Sequence, residues 1–223
     1  MAARLDPFLA FSGLCLAAGA VVCLLVREPT PIPPGNPAEV TGTGPRRGQW
    51  AVGCGLPLFG AVYGLIVSCL PVHLISGAGF TPEDVRAFFL FTYLGIGAAQ
   101  LTGGELSDRF GRPGLMVAGL AVLGCGLFCF TAASSWLFLL VVTAMGLGLG
   151  IFSIASLAFL SELAPDGRKG AVSGLYYSVW GAGYFLGPML VGLAGVGPGM
   201  TALAVYALLV AGMIAWRFMP APE

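Results

Sequence analysis

Gly104, Asp108, Arg109, Gly111 and Arg112 follow the spacing G-x-x-x-D-R-x-G-R, which gathers one carboxylate and two guanidinium groups around two glycines. Charges this close can pair with each other, with helix ends or with phosphate, and so can hold or release a joint between segments. Gly111 permits a tight turn, Pro113 suits the first turn of a helix, and Asp108 can accept hydrogen bonds from exposed backbone N–H groups. A second charged stretch, Ser161-Glu162-Leu163-Ala164-Pro165-Asp166-Gly167-Arg168-Lys169-Gly170, repeats the combination further along. No catalytic constellation and no ligand set spaced for a metal accompanies either cluster, so neither an enzyme nor a metal site nor a cofactor is expected.

The segments that carry these clusters are built for lipid. Charged residues make up 9% of the chain and hydrophobic ones 57%, whereas a soluble domain is about a quarter charged. Mean hydropathy is +0.92. The formal net charge is zero and the bases are scattered, which leaves no basic face for nucleic acid. Cys15, Cys23, Cys54, Cys69, Cys125 and Cys129 all lie inside apolar runs, without CxxC pairs, and read as small packing residues.

Seven segments reach the roughly 20 apolar residues needed to cross a bilayer: 7–26, 49–75, 85–106, 114–133, 136–162, 170–194 and 199–218. Free backbone groups find no partner in hydrocarbon, so these spans must be helices, and an all-α, polytopic membrane bundle is expected. The first run continues through Val21 to Val26 without a polar break, which favours a retained helix over a signal peptide. A Pro/Gly/Thr-rich stretch follows it. The expected organisation is a leading transmembrane helix at 1–26, a linker at 27–48 and a six-helix bundle at 49–223.

Arg27, Arg46, Arg47, Arg109, Arg112, Arg168, Lys169 and Arg217 fall on one side of this seven-helix count, and Arg4 and Arg86 on the other. The positive-inside rule then predicts a multi-pass protein of the cell membrane with its N-terminus outside and its linker, charged loops and C-terminus in the cytoplasm.

No acid, lysine, arginine or histidine lies near the middle of any span, and His73 reads as an interfacial side chain. The groups that could face a small-molecule substrate are Tyr63, Tyr93, Gln100, Tyr177, Trp180 and Tyr184. The last three share one helical face at i, i+3 and i+7. Gly60/Gly64, Gly146/Gly150, Gly170/Gly174 and Gly183/Gly187 have the small-xxx-small spacing that lets helices approach closely.

The first motif resembles the loop signature of the major facilitator superfamily, and Glu162, Pro165 and Arg168 resemble its E-x-x-P-x-x-x-R stretch between the fourth and fifth helices of a half. Gly183-Tyr184-Phe185-Leu186-Gly187-Pro188, followed by Gly192, is similar to the glycine-proline signature of its drug antiporters. The resemblance implies a half of a twelve-helix transporter, preferably its sixth to twelfth helices, which moves a small solute by alternating access, with efflux as the suggested direction. It gives the segment 114–133 a peripheral place. It implies a conformational latch made of Gly104, Asp108, Arg109, Gly111, Arg112, Glu162, Pro165 and Arg168. It also implies a partner in the form of an N-terminal half or a second copy. The competing reading is a seven-helix membrane receptor, which the helix count and Asp108-Arg109-Phe110 superficially fit, although the final segment has no NPxxY-like run.

Overall fold

Every regular element among the described residues is an α-helix: α1 (Gln49–Val67), α2 (Cys69–Ser76), α3 (Pro82–Phe110), α4 (Arg112–Phe130), α5 (Ser135–Leu163), α6 (Lys169–Ala194) and α7 (Val196–Phe218). The structure is a computed structural model that describes residues 49–132, 135–164 and 168–218. The expected leading helix, the linker and Pro165 lie outside these residues.

The breaks between helices have local chemical causes. The span expected at 49–75 is interrupted, because Pro71 has no N–H for the Val67 carbonyl and its ring crowds that oxygen. Ser68 closes the gap by donating its backbone N–H at 3.0 Å and its hydroxyl at 2.6 Å to the Gly64 carbonyl. At the start of α3, Thr81 and Asp84 form a capping box, with the Thr81 N–H on Asp84 Oδ2 at 2.8 Å and Pro82 in the first turn. Gly111 alone separates α3 from α4, at φ 77° and ψ 147°, a conformation that a side chain disfavours.

Five helices are long and apolar enough to cross a membrane: α1, α3, α4, α5 over Leu137–Leu163, and α7. Helix α6 has the length of a span but less hydropathy, since Ser173, Tyr176, Tyr177, Ser178, Trp180 and Tyr184 interrupt its apolar residues.

Helix α5 packs between α3 and α4, α7 packs on α4, and α1 pairs with α6. Leu115, Met116, Leu120, Leu123 and Leu127 of α4 are buried, as are Val142, Met145, Leu149 and Phe152 of α5. Backbone contact replaces side-chain packing where α1 meets α6. A Cβ at Gly60 or Gly64 would collide with the carbonyl of Trp180 or Tyr184, and one at Gly183 with the Pro57 carbonyl. Helices α3 and α5 approach in the same way at Gly95 and Gly146. Gly170 and Gly174 do not follow the expectation. A side chain at either would meet nothing within 4 Å, and both are exposed at the start of α6.

Candidate functional site

Two polar assemblies stand out on this scaffold. The first lies where α3, α4 and α5 end or begin together. Arg112, the first residue of α4, places NH2 2.6 Å and Nε 3.1 Å from Glu162 Oε1 in the last turn of α5. Its NH1 donates to Ser107 Oγ at 2.7 Å, and its NH2 lies 3.4 Å from Asp108 Oδ1. One guanidinium thus ties three helix ends together.

The charges in this cluster are arranged against their own helices. A positive group at a helix N-terminus and a negative one at a C-terminus both oppose the macrodipole. Arg112 occupies the first position, and Glu162 and Asp108 the second. Each is tolerable because the others neutralise it. The Arg112 side chain is 24% exposed, against 55% for Glu162 and 74% for Asp108, so the cation is the sheltered member.

The structure does not bring the whole predicted latch together. Arg109 turns back along α3 to Glu105 at 2.6 Å, with both side chains about 70% exposed. Gly104 faces open space. Arg168 stands exposed just before α6 and pairs with none of Asp108, Glu162 or Glu105. Ser107 is the member that the motif did not single out. It is buried, and only its position beneath Arg112, one turn back across Gly111, gives it a role.

The second assembly is an open cavity of about 290 Å³ between α1, α3, α5 and α6. Four of the predicted residues line it: Tyr63, Gln100, Tyr177 and Trp180. Tyr93 and Tyr184 extend its aromatic wall, since the Tyr93 ring lies 6.4 Å from that of Tyr63 and the Tyr184 ring 5.3 Å from that of Trp180. Phe59, Ser153 and Tyr176 complete the lining and were not singled out in the sequence. Phe59 reads there as one more apolar residue, and Tyr176 sits beside the stripe drawn through Tyr177.

The polar groups in this wall differ in what they have left to offer. Tyr176 Oη is within 3.2 Å of Ser156 Oγ, and Ser153 Oγ donates to the Gly150 carbonyl at 2.9 Å. By contrast, the Trp180 indole N–H is buried and has no acceptor among the described residues. Gln100 is exposed, with its amide towards the cavity. No acid, lysine, arginine or histidine lines the space. The arrangement can hold an uncharged molecule by ring contacts and a few hydrogen bonds.

Known proteins share these features. Over 155 residues the chain is 34% identical to human solute carrier family 2, facilitated glucose transporter member 12, covering 63% of this chain and 25% of the relative. The niacin transporter NiaP of Acinetobacter baylyi is 27% identical over 63% of this chain and 32% of its own length. The probable nitrate/nitrite transporter NarK2 of Mycobacterium tuberculosis is 28% identical over 60% of this chain and 35% of its own. The chain thus spans a quarter to about a third of these relatives, all of them transporters and none a receptor or an enzyme. A sequence profile of the Major Facilitator Superfamily matches residues 53–223, and this multi-pass, membrane-embedded chain belongs to that superfamily of transporters.

Proposed function

We infer that this chain forms one half of a secondary transporter that carries an uncharged, hydrogen-bonding solute across the cell membrane by alternating access. The observation that carries this reading is the cavity wall, which offers aromatic rings, the Gln100 amide and an unpartnered Trp180 N–H, but no charge. A hydroxylated ring of the sugar class suits such a wall, with its apolar face on Trp180 or Tyr177 and its hydroxyls on the amide. An anion would need a cation that this wall lacks.

The exposed apolar residues of α3 and α6, among them Leu90, Leu94, Leu101, Phe185 and Leu190, support a second half-bundle as the partner. It belongs either to the same polypeptide or to a second copy. In this scheme the Asp108–Arg112–Glu162 cluster is the cytoplasmic latch, the termini follow the positive-inside orientation, and efflux is the direction suggested by the segment 183–188. The test is counterflow in proteoliposomes with the chain plus its second half-bundle, comparing labelled glucose with nicotinate and nitrate. Exchange of the neutral solute is the expected result. Exchange of the anions alone would overturn the neutral-solute reading.

A further inference from the structure

Helix α7 lines no part of the cavity, yet one of its side chains reaches the helix that does. Tyr206 Oη donates to the Cys54 carbonyl of α1 at 2.8 Å, across 152 residues of sequence. Cys54 stands in the turn that Pro57 disrupts. Pro57 has no N–H for the Gly53 carbonyl, and its ring pushes the neighbouring ladder open, so the carbonyls of this turn need donors from outside the helix. In a membrane that donor must come from a neighbouring helix or a trapped polar group. Tyr206 is such a donor, and it is the polar side chain in the wall of an otherwise apolar groove between α1, α6 and α7.

We propose that Tyr206 is a positioning residue, which holds the proline bend of α1 so that Phe59 and Tyr63 stay packed on Trp180. Both rings lie within two turns after the bend, with centroids 6.2 Å and 5.9 Å from Trp180. Gly183 of α6 covers the Pro57 carbonyl on another side, so the bend is held from two helices. The importance of this clasp for solute binding rests on the transport reading above. The clasp itself does not.

The experiment therefore needs no solute. The full chain, with Trp50, Trp136 and Trp216 replaced by Phe, is placed in phosphatidylcholine nanodiscs, and acrylamide quenching of Trp180 is measured. Tyr206→Phe keeps the ring and removes the hydroxyl. The population in which α1 leaves Trp180 should rise by about twofold to tenfold, the shift that one hydrogen bond supports. In a Pro57→Ala background, where the helix supplies its own donor, the same change should leave quenching unaltered. A rise of equal size in both backgrounds, or in neither, would overturn the proposal. If Tyr206→Phe alone yields aggregated protein, the Pro57→Ala, Tyr206→Phe pair decides, with recovery of monodisperse protein expected and continued aggregation counting against the clasp.

Discussion

Arg112 and Glu162 neutralise each other at 2.6 Å while each occupies the end of its own helix that repels its charge. Such a pair is stable only as a pair. Separation of the helix ends returns both charges to unfavourable dipoles unless a new partner is at hand, which is the property expected of a contact that is made in one state and exchanged in another.

Arg112→Ala and Glu162→Ala should each lower stability, with a coupling in the double variant of about 0.5 to 1 kcal/mol, the range for a partly exposed pair. The exchanged pair, Arg112→Glu with Glu162→Arg, puts both charges at favourable helix ends and should recover most of the loss despite Asp108 nearby. Thermal unfolding of the four proteins in one detergent measures this. Strict additivity would show that the pair is not energetically linked.

Asp108→Asn removes the second carboxylate near Arg112 without changing shape. Membrane insertion should be intact, while the balance of inward- and outward-open states of the assembled transporter shifts. Labelling of single cysteines placed on each face reads that balance, and unchanged accessibility on both would take Asp108 out of the latch.

The two motif glycines should respond oppositely to a methyl group. Gly111→Ala places a Cβ at φ 77° and should cost about 1 to 2 kcal/mol, visible as a lower melting temperature. Gly104→Ala meets open space inside a helix and should be neutral or mildly stabilising. Equal losses at both positions would contradict this backbone account.

Trp180→Phe retains a ring and deletes the buried N–H. If that group bonds the solute, affinity should fall by about threefold to tenfold, with a melting temperature no lower than that of the parent. Equilibrium binding of the solute found by counterflow supplies the comparison. Equal affinity would reduce Trp180 to packing against Phe59 and Tyr184.

Gly60→Ala should separate α1 from α6 and cost roughly 1 to 3 kcal/mol, because the methyl collides with the Trp180 carbonyl rather than with a yielding side chain. Gly174→Ala, with nothing nearby, should be tolerated. Monodispersity and thermal stability of both proteins are the measurements.

The amino-acid sequence by itself determined an all-helical membrane protein, the order of its charged motifs and the turn at Gly111, because hydropathy and turn chemistry act within a few residues of the chain. The aromatic residues of the cavity were legible for the same reason, as polar or amphipathic groups in apolar spans. The tertiary structure decided which charges meet: Arg112 crosses 50 residues to Glu162, while its motif neighbour Arg109 turns to Glu105 one turn away. It also decided that Phe59 and Tyr176 face the cavity, and that Tyr206 supplies the donor for the bend of α1. Those choices depend on how each helix is rotated and how deeply it is set against its neighbours. Small backbone contacts such as Gly60 on Trp180 set that rotation, and they have no local signature beyond a glycine.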